Sequence, residues 1–168
     1  IRFYGELELN PAEVFVYHNT STARVAITSN KVRGIGTPNY HVYNNLFYAR
    51  QWWGNTGGSV EPNWNGDYNV FVRRDDHPAW ETTKAMAERL PQDEHSRWIE
   101  DGGLPFASLD PLDLSLIEQS PARAAGTNLE TVFGRVLPGL DGAAYDRERP
   151  DAGALPFGQP MPTIPRPR

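Results

Sequence analysis

Three short strings of this chain read as one string repeated: Val16-Tyr17-His18-Asn19, Val42-Tyr43-Asn44-Asn45 and Asp67-Tyr68-Asn69-Val70-Phe71. Their asparagines Asn19, Asn45 and Asn69 lie 26 and 24 residues apart. A near-constant period of this size marks a solenoid, in which each repeat is one turn of a stacked coil. Val, Tyr and Phe dominate the repeat, which favours β-coils over helical repeats. Asn suits the bend because it tolerates left-handed backbone angles, and its amide can bond to the amide one coil away. Three unrelated turn asparagines would not bring matching aromatic and β-branched neighbours with them.

The rest of residues 1–77 fits the same scheme. Short apolar runs at 14–17, 24–28, 40–43, 46–48 and 70–72 read as strands between turn residues. No helical spacing separates them, which excludes βαβ units. A loop holding Trp52, Trp53 and Trp64 is expected between Arg50 and Gly66. Residues 78–92 read as a flanking helix, with Pro78 at its start, His77 or Asp76 near the cap and Pro91 as its stop. Trp80, Thr83, Ala87 and Leu90 share one face of it, and Glu81, Lys84 and Glu88 should face water. Residues 93–157 read as a terminal coil and cap, and 158–168 as a Pro-rich tail, extended from Pro156 onward.

A net charge of −5 and a pI near 5.3 argue against a nucleic-acid footprint. The absence of cysteine excludes disulfides and thiolate metal sites. No apolar run approaches the ~20 residues of a membrane span. The chain opens, at Ile1-Arg2-Phe3-Tyr4, already in strand-like register. Its expected partner is therefore a set of upstream coils, of the same protein or of a companion chain, because an uncapped coil exposes an unpaired edge.

The ordered set of motifs resembles the C-terminal end of the right-handed parallel β-helix proteins, the pectate-lyase-like superfamily. Val16-Tyr17-His18-Asn19-Thr20, Val42-Tyr43-Asn44-Asn45-Leu46-Phe47 and Gly66-Asp67-Tyr68-Asn69-Val70-Phe71 resemble that group's successive coils. The helix from Trp80 and the string Gln92-Asp93-Glu94-His95-Ser96 resemble its next element. Ser120-Pro121-Ala122-Arg123, Gly126-Thr127 and Pro150-Asp151-Ala152-Gly153-Ala154 resemble its closing strings. The resemblance covers roughly residues 13–157, with Leu90-Pro91 a departure where Gly is usual before Gln92. It implies an all-β fold: a right-handed parallel β-helix with one flanking α-helix and an irregular C-terminal cap. It also implies a secreted, extracellular or periplasmic carbohydrate-active protein of the polysaccharide lyase or glycoside hydrolase type, with polysaccharide as partner. Adhesins and tailspike-like fibres share the same end motifs, so a non-catalytic surface protein is the alternative.

Lyases of this kind need a cation and a base, and hydrolases need two carboxylates. His41, Lys31, Arg50 and Asp67 are the catalytic candidates, with Arg33, Arg73 and Arg74 as further cations for a uronate. Trp52, Trp53 and Trp64 are the candidate sugar platform, whereas Trp80 and Trp98 read as core. Arg73-Arg74-Asp75-Asp76 reads as a self-paired turn, and His18 as a hydrogen-bonded turn residue. His95 cannot form a triad with its neighbours Asp93 and Ser96, because a triad needs convergence from separate segments, so it reads as structural. No cofactor is implied. Calcium is the one ion the carboxylates raise, at Glu61 and Asp67 or at Asp141, Asp146 and Asp151, whose spacing is not that of an EF-hand. With only three coils legible, the isolated chain is expected to be inactive on polysaccharide.

Overall fold

The computed structural model describes residues 2–3, 13–29, 39–54, 64–88, 93–101, 103–140 and 145–162. The described strands are β1 (Arg2–Phe3), β2 (Glu13–Tyr17), β3 (Thr20–Ser21), β4 (Val25–Ser29), β5 (Asn39–Tyr43), β6 (Leu46–Ala49), β7 (Gln51–Gly54), β8 (Trp64–Asp67), β9 (Val70–Arg73), β10 (Arg97–Ile99), β11 (Phe106–Leu109) and β12 (Leu112–Leu116). Two helices accompany them, α1 (Ala79–Ala87) and α2 (Leu129–Phe133). Three sheets are wholly parallel, with orders β2-β5-β8, β3-β6-β9-β10 and β1-β4-β7. The molecule is thus mainly β with parallel sheets, compatible with a β-helix-like architecture.

The pairing register carries the sequence period. Val16 pairs with Val42, and Val42 with Gly66; Leu46 pairs with Val70, and Val70 with Arg97. The strands of the three sheets recur in rotation along the chain. Between the strands of the first and second sheets the chain turns through His18-Asn19, Asn44-Asn45 and Tyr68-Asn69. His18, Asn44 and Tyr68 take left-handed φ values of 49, 56 and 56°.

One core fills the space inside the sheets. Phe47, Phe71 and Trp98 stack one repeat apart, with ring centroids 5.2 and 4.3 Å apart. Val16, Val42 and Ala49 pack around this column. Trp80 of α1, 1% exposed, closes it edge-on against Trp98 at 5.5 Å. A second core covers the outside of β3-β6-β9-β10. There Leu46, Val70 and Val72 meet Phe106 and Leu116 of the antiparallel β11–β12 hairpin, with Ala122, Ala125 and Ala152. Burial on both faces explains why β6 and β9 read as unbroken apolar runs. A third cluster lies on the outside of β2-β5-β8, where Leu129, Phe133 and Leu137 cover Phe15, Tyr17 and Tyr43.

Several expectations are corrected here. Trp52 and Trp53 lie on strand β7, and Trp64 on β8, not in a loop; the backbones pair in parallel with β4 and β5. Helix α1 is described to Ala87, with Glu88 in the following turn, and Leu90 lies outside the described residues. Its N-terminus is capped by the His77 ring, which accepts the Ala79 N–H at 3.1 Å. Thr83 is buried and Glu81 and Glu88 are exposed, but Lys84 is half-buried because it pairs with Glu100. The turn after β9 is only partly self-paired: Arg73 meets Asp76 at 3.2 Å, while Arg74 donates to the Thr22 carbonyl at 2.7 Å. The chain at 156–157 folds back instead of running extended. Asp151 accepts the Phe157 N–H at 2.6 Å, and the Arg123 guanidinium lies 3.9 Å over the Phe157 ring.

Candidate functional site

The bends are joined by their asparagines. Asn19 donates to Asn45 Oδ1 through its backbone N–H and through Nδ2, at 3.0 and 3.1 Å. Asn45 does the same to Asn69 Oδ1, at 3.1 and 2.9 Å. Asn45 Nδ2 also reaches the Val16 and Tyr43 carbonyls, and Asn69 Nδ2 reaches that of Val42. Asn44, Asn45 and Asn69 are wholly buried, so these bonds satisfy amides that would otherwise be costly to enclose. At the next bend Ser96 takes the place of asparagine: its Oγ accepts the Asn69 N–H at 2.9 Å. Ser96 in turn donates to Asp93 Oδ1. Burial pushes the Asp93 carboxyl up to about 7, and the charge of Asp67 adds to this.

The three described catalytic candidates, His41, Arg50 and Asp67, do not converge. Lys31 lies outside the described residues, as does Arg33. Arg50 sits between β6 and β7 and is held by Asp75, with Nε 3.0 and 3.1 Å from the two carboxylate oxygens. His41 and Asp67 share the outer face of β2-β5-β8 in separate networks. His41 is stacked on Phe15 at 4.6 Å and faces the edge of Phe133 at 5.4 Å. Asn65 Nδ2 donates to His41 Nδ1 at 3.2 Å, and Tyr43 Oη donates to Asn65 Oδ1 at 2.7 Å. His41 Nε2 therefore carries the proton and points to Glu13, 3.6 Å away. Burial raises the Tyr43 phenol to about 12, with the charges of Asp67 and Asp93 acting the same way. The side chains of Trp52, Trp53 and Trp64 lie outside the described residues, as do Glu61 and Asp141. Asp146 accepts the N–H groups of Glu148 and Arg149, and Asp151 those of Ala124 and Phe157. Among the described residues no three His, Asp or Glu side chains form a metal-binding group.

Asp67 instead meets His95, a pairing the local sequence does not reveal. Asp67 Oδ1 accepts the N–H groups of Tyr68 and His95 at 2.8 and 2.7 Å, and Oδ2 accepts His95 Nδ1–H at 2.6 Å. The imidazole lies flat on Tyr68, with centroids 4.5 Å apart and planes 2° apart. Ser96 and Asp93 bond to each other and not to His95. The signal that finds this pair is the period itself: Ser96 stands 27 residues after Asn69, which puts His95 beside Tyr68.

A small pocket of about 50 Å³ opens on the other side of the same bends, lined by His18, Leu137, Tyr145 and Arg147 among others. It falls well below the roughly 300–1,000 Å³ of ordinary ligand pockets. Comparison with protein-family models, with curated proteins and with solved structures gives no match to this chain. Among the described residues, no helix is long and apolar enough to cross a membrane.

Proposed function

We propose that this chain is the closing, C-terminal part of a right-handed parallel β-helix protein of the pectate-lyase-like type, secreted and carbohydrate-active. The observation that carries this reading is the shared period. Two parallel sheets and the asparagine column step by the same 26 and 24 residues, and the third sheet steps by 26 at both of its pairings. In this role β2 and β3 turn the edges that no described strand pairs towards an upstream coil, and Trp52, Trp53 and Trp64 contribute to one wall of a sugar groove. A non-catalytic surface or fibre protein is the second reading. It is favoured by the covering of two outer sheet faces, by 129–140 on β2-β5-β8 and by the β11–β12 hairpin on β3-β6-β9-β10. Polysaccharide work on such a solenoid needs an open face.

The test is to incubate the chain with pectate, alginate, glycosaminoglycans and xylan. Product release and binding would be followed separately, the latter also with each of the three tryptophans changed to alanine. The proposal expects no turnover and weak binding lost on at least one Trp→Ala change. Binding indifferent to all three changes, or absent, removes the carbohydrate role and leaves the fibre reading.

A further inference from the structure

We propose that His95 and Asp67 form an acid–base dyad, in which His95 Nε2 takes a proton from water or from a hydroxyl group of an uncharged substrate. The inference stands on local geometry and holds whether or not the chain is carbohydrate-active. Asp67 can only accept hydrogen bonds when ionised, so the short contact to His95 Nδ1 places the imidazole proton on Nδ1. Nε2 is then left with its lone pair. The Asp67 side chain is 12% exposed and that of His95 is 55% exposed, so the orienting carboxylate is sheltered while the imidazole is open to solvent. Two further bonds, from the N–H groups of Tyr68 and His95, fix the carboxylate. The flat contact with Tyr68 fixes the ring plane. A base held in one tautomer by a positioned carboxylate is the arrangement that general-base catalysis requires.

The surroundings select the substrate. Asp67 touches the imidazole, and Glu94 precedes it in the chain. Among the described residues no cationic side chain bonds to His95. Negative potential of this kind repels anions, so a uronate is disfavoured at this site and a neutral hydroxyl or ester compound is favoured. In this assignment His95 acts on the substrate and Asp67 is a positioning residue.

The probe is 4-nitrophenyl acetate. His95 Nε2 would take a proton from water as the water oxygen adds to the ester carbonyl. The adduct expels 4-nitrophenolate to leave acetic acid, which ionises to acetate, and the proton on Nε2 leaves for solvent. The chain has four histidines, and His77→Gln serves as the control for an unrelated one. His95→Gln should lower the rate about tenfold or more, and His77→Gln should leave it unchanged. The negatively charged 4-nitrophenyl succinate should gain less than the acetate, relative to free imidazole. Ring nitrogen spectra of the unchanged protein at pH 8 should show His95 as the Nδ1–H tautomer, a signature independent of any variant's folding. Asp67→Asn should shift that tautomer and lower the rate. An Nε2–H tautomer in the unchanged protein, or a His95→Gln rate equal to the original, overturns the proposal.

Discussion

The left-handed bend occurs at both ends of one column, and the two ends are used differently. At His18 and Asn44 the bend is strapped down by a distant segment. Asn44 Oδ1 accepts the Thr127 N–H at 2.9 Å, and Asn44 Nδ2 donates to the Thr127 carbonyl at 2.8 Å. The Gly153 N–H reaches the Asn44 carbonyl at 2.8 Å, and the Ala154 N–H reaches Thr20 Oγ1 at 3.0 Å. The strap lies so close that a Cβ on Gly153, at φ 108°, would stand 2.7 Å from Thr20 Oγ1. At Tyr68 and His95 no described segment makes such bonds; Tyr68 packs partly against the third cluster and the His95 ring on it meets solvent. One backbone shape thus serves as an anchor for the C-terminal chain at one end and as an open surface at the other. What fills the bend decides which: an amide that satisfies a passing backbone, or an aromatic pair that satisfies itself.

The largest difference between the ends should appear on truncation. Asn44→Ala strands the partly buried Thr127 N–H and carbonyl and puts alanine in a left-handed bend. About 2–3 kcal/mol of stability should be lost, toward the lower part of the ~1–3 kcal/mol for each unsatisfied group because Thr127 is partly exposed. His95→Ala removes an exposed ring and one bond to the buried Asp67 carboxylate, which keeps its two backbone N–H bonds, and should cost less, about 1–2 kcal/mol. Denaturant unfolding of the two variants checks this. Equal losses would mean that the strap does not anchor at Asn44.

The bends and their parallel strands were legible from β-branched and aromatic strands, a recurring asparagine and a near-constant period; the left-handed residue itself is the one before each ladder asparagine, and only at Asn44 is it an asparagine. The strap was not legible as a mechanism, because Thr127 and Gly153 lie 83 and 109 residues from Asn44 and only folding brings them together. The same reason hid the contact of Asp67 with His95, which crosses one whole repeat. The tryptophan strand was misread as a loop because Gly54 and the Asn-Gly-rich residues after it dominate the local composition. His41 looked available because nothing near it in sequence announces Phe133, whose helix covers it.

A smaller contrast should appear with pH, and its sign is opposite at the two ends. Thr127 fixes the Asn44 amide so that Nδ2 faces His18 Nε2, at 3.1 Å. His18 is therefore neutral. Burial lowers its pKa from 6.5 to about 4, with the backbone of Gly153 and Asp151 opposing. A lowered histidine contributes stability that is present above pH 6.5 and is lost as pH falls towards 4. Asp93 is raised from 3.8 to about 7, so its contribution is present below pH 3.8 and is lost as pH rises towards 7. Hydrogen exchange, corrected for intrinsic rates, should show the Gly153 N–H losing protection on acidification and the Asn69 N–H losing it on approach to neutrality. Parallel changes at both ends would remove the assignment of His18 and Asp93 to separate ends.

The central claim is that the asparagine column ties one repeat to the next, and the comparison of Asn45→Ala with Asn19→Ala tests it most directly. Asn45 is wholly buried and bonded to the rungs on both sides, whereas Asn19 is half-buried, and its described rung contact is to Asn45 alone. Measured by chemical unfolding, Asn45→Ala should lose about 3 kcal/mol, and Asn19→Ala roughly half of that or less. A loss at Asn45 within about 0.5 kcal/mol of zero, or no larger than that at Asn19, would contradict the claim.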